Sequence, residues 1–168
     1  MRKLYMKQKV FSLSERFTIK DELENDLYYI EGSFFQIPKS FQVTDVAGNE
    51  IGTVVKKTFS WMPRFFVNVQ GKEEVVIQKE FTFFKDRYQI TGENLAIHGD
   101  FWDKNFEVFQ GNLQVARVVE KWFTWGDTYE IEILQDDLEH LLICFVVALD
   151  YVTSTERAAR NNGGANAN

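Results

Sequence analysis

Cysteine, histidine and proline are nearly missing from this chain of 168 residues, which holds one Cys, two His and two Pro. A single cysteine, Cys144, excludes an internal disulfide framework and points to a reducing compartment, so a cytoplasmic location is expected. The two histidines, His98 and His140, do not form a pair at zinc spacing, and no P-loop or dinucleotide-type glycine fingerprint occurs. Neither a metal nor a cofactor is therefore expected. Long apolar runs are also lacking. The uncharged stretch from Leu141 to Leu149 is bounded by Glu139 and Asp150, and a membrane-crossing helix needs about 20 apolar residues. The basic start, Met1 to Lys9, is not followed by the apolar segment of a signal peptide. Positive charge is in deficit, with 19 Lys plus Arg against 25 Asp plus Glu and a net charge of −6. That balance argues against a nucleic-acid partner, because a polyanion is repelled on average.

Aromatic residues, by contrast, are plentiful: 16 Phe, six Tyr and four Trp. They suit the half-buried pleated faces of strands. Short runs of Val, Ile, Phe, Tyr and Thr predict strands near 4–11, 16–20, 27–32, 34–37, 41–45, 51–59, 65–70, 74–78, 81–84, 87–91, 94–98, 106–110, 113–123 and 128–134, some of which merge. Turns fall at Ala47-Gly48-Asn49, Gln70-Gly71-Lys72, Gly92-Glu93-Asn94, Gly111-Asn112 and Trp125-Gly126-Asp127. Spacing this short favours hairpins over parallel βαβ units.

The pattern also repeats. Phe17 to Asp21 resembles Thr82 to Asp86, Tyr28 to Gly32 resembles Tyr88 to Gly92, and Phe41-Gln42-Val43 resembles Phe106-Glu107-Val108. Gly48-Asn49 with Ile51 to Trp61 then matches Gly111-Asn112 with Val115 to Trp125. A duplicated supersecondary unit follows, each half supplying about six strands that close on one another and hide their edges.

From Leu138 the sequence turns apolar on nearly every face, as in a helix buried inside protein. Asp136 with Glu139 fits a capping box, and Arg157 and Arg160 suit the negative helix end. The β-branched Ile143, Val146, Val147 and Val152 keep a final strand as the competing reading. The expected organisation is one mainly β domain over residues 1–155, a helix over about 137–155, and a flexible tail over 156–168.

Two tandem β repeats ending in an apolar helix, with the Phe-Thr-Ile-Lys-Asp and Tyr-Ile-Glu-Gly elements and a Gly-Asn turn before Val-Val-Lys-Lys, resemble the LURP-one-related family. The likeness covers residues 4 to 155. It implies the Tubby C-terminal-like fold, a twelve-stranded antiparallel closed barrel threaded by a central helix. That fold is shared with the tubby proteins, which bind phosphoinositides, and the scramblases, which move lipids. The family's motifs are structural, and no catalytic residue carries over.

Two groups of residues are candidates for binding. On an alternating strand Lys3, Tyr5, Lys7 and Lys9 share one face, and Lys56, Lys57 and Arg64 extend a basic surface able to attract anionic headgroups. Trp61 and Trp125 stand at equivalent hairpin tips, Phe65 following the first, where aromatic rings favour membrane interfaces or protein contacts. The expected function is a non-enzymatic module that contacts an anionic lipid surface or a partner protein; the alternatives are a structural or interaction domain without lipid affinity, and an enzyme. His98-Gly99-Asp100 with Asp103 is the one grouping able to hold a metal or move a proton, and a polar turn between strands explains it as well. His140 and Cys144, four apart, read as a core histidine beside a buried thiol, and Asp136, Asp137 and Glu139 as helix-capping acids.

Overall fold

Along Asp26–Gly32 the sequence Asp-Leu-Tyr-Tyr-Ile-Glu-Gly buries Tyr28, Ile30 and Gly32 and exposes Tyr29 and Glu31. This period of two is the signature of a strand with one face on a core. A computed structural model describes residues 1–7, 16–33, 38–57, 64–80, 87–100, 104–123 and 126–163, without the side chains of 7, 16, 79–80, 87–88, 122–123, 126–127 and 154–163.

The strands are β1 (Arg2–Lys7), β2 (Arg16–Lys20), β3 (Asp26–Gly32), β4 (Ser40–Asp45), β5 (Glu50–Lys56), β6 (Arg64–Val69), β7 (Val75–Glu80), β8 (Arg87–Thr91), β9 (Leu95–Asp100), β10 (Asn105–Gln110), β11 (Leu113–Phe123) and β12 (Gly126–Ile133). A 3-10 turn over Asp136–Leu138 leads into α1 (Glu139–Gly163). All twelve strands form one antiparallel sheet in the order β8-β7-β6-β5-β4-β3-β2-β1-β12-β11-β10-β9. Consecutive strands pair throughout except β8 with β9, and β1 joins β12 from Arg2 opposite Ile133 to Lys7 opposite Thr128. The sheet therefore rolls into a barrel that is closed but for one seam, where β8 and β9 meet only through their connecting turn. The sequence strand expected at 34–37 lies outside the described residues, as does the one at 81–84.

Inward positions carry the apolar residues: Leu4, Ile19, Ile30, Val43, Val54, Val67, Ile77, Val108, Val118 and Ile131 are completely buried. Every residue of α1 from Leu141 to Asp150 is buried as well. A helix covered on all faces inside a sheet of inward-facing hydrophobes is the barrel's filling, and burial of each Leu, Ile or Phe contributes about 1.5–3 kcal/mol. The competing final strand is thereby replaced by the helix.

The repeat is visible in the ladders. In the first half Gly32 faces Phe41, Ile30 faces Val43, and Val43 faces Gly52. In the second Gly99 faces Phe106, Ile97 faces Val108, and Val108 faces Ala116. Both halves shift register just after the equivalent valines, between Val43 and Thr44 and between Val108 and Phe109. The registers correct one part of the sequence alignment: β3 corresponds to β9, not to the Tyr88–Gly92 segment of β8, while β4 with β10 and β5 with β11 stand as aligned. The β2–β3 ladder has no counterpart between β8 and β9, so the seam falls where the two halves diverge.

Two further expectations change. The helix continues to Gly163 instead of ending near 155. No capping box forms either. Gln135 occupies the N-cap of the 3-10 turn without a side-chain bond, and the Glu139 carboxylate accepts from Arg2 and Tyr28 instead.

Candidate functional site

Antiparallel order sends the β2–β3, β4–β5, β6–β7, β8–β9 and β10–β11 turns to one end of the barrel, where α1 also enters. Two of these turns have the same construction. Asp21 accepts the backbone N–H of Leu23 and Asn25 and the Asn25 amide, and Asp45 does the same with Ala47, Asn49 and the Asn49 amide. These bonds hold both carboxyls below the usual carboxylate range, the asparagine side-chain bond contributing most. The left-handed position that such a turn requires is filled by Glu24 in the first and by Gly48 in the second.

At the opposite end the rim is basic. Lys56 faces Phe65 across the β5–β6 ladder and shares its inward side. Lys39, whose carbonyl accepts the Lys56 N–H at 2.9 Å, lies beside it. Their Nζ atoms stand 5.6 Å (Lys39) and 5.8 Å (Lys56) from the ring centre of Tyr151, on the helix. Tyr151 itself packs edge-on against Phe41 and Phe65, at 4.8 and 5.6 Å between ring centres. Lys57 and Arg64 are linked by a backbone bond of 2.8 Å and follow on the outward side, Arg64 donating through Nη2 to Gln78 Oε1. Two cations over one ring, with two more on the adjoining strand ends, form a cationic and aromatic mouth.

On the other expected basic face the described cation, Lys3, is paired. Lys3 lies 3.6 Å from Glu130, which also reaches Lys121 at 3.9 Å. Glu130 is the main cause of the raised Lys3 pKa. Glu132 faces both Lys3 and Arg117 across the ladders. Lys9, Trp61 and Trp125 lie outside the described residues, as does the side chain of Lys7. Phe65 requires correction: it is 1% exposed and packs under Tyr151, so it is a core ring with no surface to offer. Of the expected cations, then, Lys56, Lys57 and Arg64 come together, and Lys3 belongs to a charge-balanced face. Lys39 and Tyr151 escaped the sequence reading, since only the fold brings a residue before β4, the end of β5 and the helix to one place.

At the entry end Arg2, Tyr28 and Glu139 are joined. Arg2 Nη1 donates to both Glu139 oxygens at 2.8 and 3.1 Å, and the Tyr28 hydroxyl donates to Oε1 at 2.5 Å. With Met1, Asp136 and His140 they line a cleft of about 560 Å³. His140 is exposed there with its ring edge-on to Tyr28, 5.8 Å away, and is not the core histidine expected beside Cys144. Further along α1, Asp150 accepts from the Tyr129 hydroxyl, and the buried Lys104 pairs with Glu120 at 2.9 Å while its Nζ sits 4.5 Å above the Tyr129 ring. Glu139 and Asp150 are about three turns apart on one stripe of the helix. Two tyrosine–carboxylate bonds thus fix the register of an apolar rod that could otherwise slide in an apolar tube. His98, Gly99 and Asp100 form the outer part of β9, where His98 stacks on Phe109 at 4.5 Å; they are strand and not the turn expected. Among the described residues no three metal-ligating side chains gather.

Burial first, and the Glu139 bond second, push the Tyr28 hydroxyl above its ordinary pKa of 10.0. The folded chain therefore keeps this proton where the unfolded chain releases it. The resulting stability is complete below pH ~10 and declines as pH rises beyond it. Tyr28→Phe is expected to make the fall in denaturant midpoint between pH ~9 and ~11 shallower. An unchanged alkaline slope would show that the fold does not hold the Tyr28 proton.

The LURP-one-related family model matches residues 2–150. This chain belongs to the LURP-one-related family. The uncharacterised protein YxjI of Bacillus subtilis is 36% identical to it over 149 residues, covering 89% of this chain and 91% of that one. A crystal structure of an Arabidopsis thaliana protein superposes with a TM-score of 0.55 at 13% identity, covering 89% of this chain and 91% of the other, a likeness of fold alone. Among the described residues of this family member no helix is long and apolar enough to cross a membrane.

Proposed function

We propose that this LURP-one-related chain is a non-enzymatic binding module of the cytoplasm that docks its basic mouth on anionic phospholipid headgroups. The observation that carries the reading is the gathering of Lys39, Lys56, Lys57 and Arg64 at one end of a barrel whose net charge is −6. The turns at the other end bear Asp21, Glu22, Glu24, Glu73, Glu74 and Glu93. Such a polarity orients the molecule, drawing the basic end toward a negative surface and turning the acidic end away. Each Lys or Arg near an anionic leaflet contributes about 1 kcal/mol. The non-enzymatic part draws support from the entry cleft, where Arg2 and Tyr28 occupy the Glu139 oxygens, and from a Cys144 thiol pushed up to about 12 by burial.

Co-sedimentation with phosphatidylserine-containing vesicles at low salt tests this. The doubly substituted Lys56→Glu, Lys57→Glu protein is expected to lose most of its binding, and added salt to weaken that of the parent. Lys3→Glu, on the balanced face, should matter much less. Binding indifferent to the Lys56 and Lys57 changes, or no binding at all, would remove the proposal.

A further inference from the structure

Arg64 holds an unmet demand. Its Nη2 is used by Gln78, but its Nε–H is enclosed and has no acceptor among the described residues. A buried donor left unpaired is destabilising, more so when charged, so it needs a reason. The ladders show what surrounds it. Lys57 stands across from Arg64 on one side and Gln78 on the other, and Gln89 faces Gln78 in turn. The row Lys57, Arg64, Gln78, Gln89 runs from the residue after β5 across β6, β7 and β8 on the outward side and contains donors and amides but no carboxylate. The next outward row is Val55, Phe66 and Val76, all half-buried. An apolar margin of this kind strengthens a charged hydrogen bond beside it by lowering the local dielectric.

We infer that Arg64, with Lys57 and Gln78, forms a discrete subsite for a phosphate group on the basic rim. The inference rests on the rim being the binding face, and it replaces diffuse attraction there with a shaped contact. The Nε and Nη2 edge of a guanidinium matches two oxygens of a tetrahedral oxyanion, a fit that a lysine point charge does not provide. Gln78 now covers half of that edge with its carbonyl. On arrival of a phosphate the Gln78 amide turns over, releases Nη2 and presents its own N–H₂ to a third oxygen, while Lys57 supplies countercharge from the neighbouring strand. The same chemistry serves a free phosphate or the phosphomonoester of a lipid.

Titration calorimetry with inorganic phosphate on the full chain reads the subsite directly. Arg64→Lys preserves charge and removes the fork; Gln78→Glu supplies an internal carboxylate that competes for it. Both are expected to weaken phosphate binding about tenfold or more, with unfolding midpoints reporting that each variant is folded. Phosphate affinity that is absent in the parent, or equal in parent and both folded variants, overturns the inference. Vesicles separate it from the rim proposal. Sedimentation of the parent with phosphatidylserine at low salt tests the rim by itself, since diffuse attraction needs no shaped contact. Sedimentation there together with phosphate binding unaltered in both variants sinks the subsite alone, whereas no sedimentation of the parent sinks the rim. Phosphatidic acid retained better than phosphatidylserine at equal surface charge, an advantage lost in Arg64→Lys, supports a lipid phosphomonoester as the ligand; tight phosphate binding without that advantage supports the free ion.

Discussion

Phe145→Ala is expected to lower stability by about 3–5 kcal/mol, a large part of the 5–15 kcal/mol typical of a domain. Phe145 is completely buried in the middle of the Leu141–Asp150 stretch of α1, and the rigid ladders around it cannot close over the space its ring would leave. Urea unfolding measures the effect as a fall in midpoint with an unchanged slope. Leu113→Ala is the control, since Leu113 is 53% exposed and should shift by no more than about 0.5 kcal/mol. Equal shifts for the two variants would mean that the helix is not the filling of the barrel.

The second large effect is expected at Gly52. A Cβ placed there would come within 2.7 Å of the Cys144 sulfur, 2.7 Å of the Asn68 carbonyl oxygen and 2.9 Å of a Val69 methyl. The helix approaches β5 this closely only because no side chain intervenes. Its counterpart in the second half, Ala116 opposite Val108, already carries a Cβ and is fully buried, so the closest approach belongs to one half only. Gly52→Ala is expected to cost about 1–3 kcal/mol, the usual range for overpacking. Adding Cys144→Ala should recover only part of it, because the Asn68 carbonyl remains in the ladder. A double-mutant cycle on unfolding midpoints gives the coupling; zero coupling would contradict contact between β5 and Cys144.

Much of the barrel was legible because its determinants are local. Alternation along Asp26–Gly32, the Gly111-Asn112 turn and the apolar run after Leu138 each declare an element within a few residues. The twelve strands and central helix implied by the family resemblance are the architecture found. Features fixed by distant pairing were not legible. The similarity of Tyr88–Gly92 to Tyr28–Gly32 pointed to the wrong strand, because equivalence is decided by which residues face Phe41 and Phe106. The helix outran its apolar pattern: once nucleated it propagates through good formers such as Glu156, Arg157, Ala158 and Ala159. Gly163 then stands at its end, as glycine commonly does.

The candidate site divides in the same way. Lys56, Lys57 and Arg64 could be read from the sequence because they flank one hairpin. The pairing of Lys3 could not be read, since Glu130 and Glu132 come from the far end of the chain. Tyr151 looks like one more residue of an apolar helix until Lys39 and Lys56 are seen above its ring. Glu139, assigned to a cap, is drawn inward by Arg2 and Tyr28.

The lone cysteine offers the most direct probe, because it sits within the plug itself. Cys144 is completely buried, and its thiol is held near 12 by desolvation. Under native conditions at pH ~8 a soluble thiol reagent is expected to label it only as fast as the whole barrel opens, the rate rising with urea in step with global unfolding. Labelling within the mixing time of the folded protein would place the helix outside the strands.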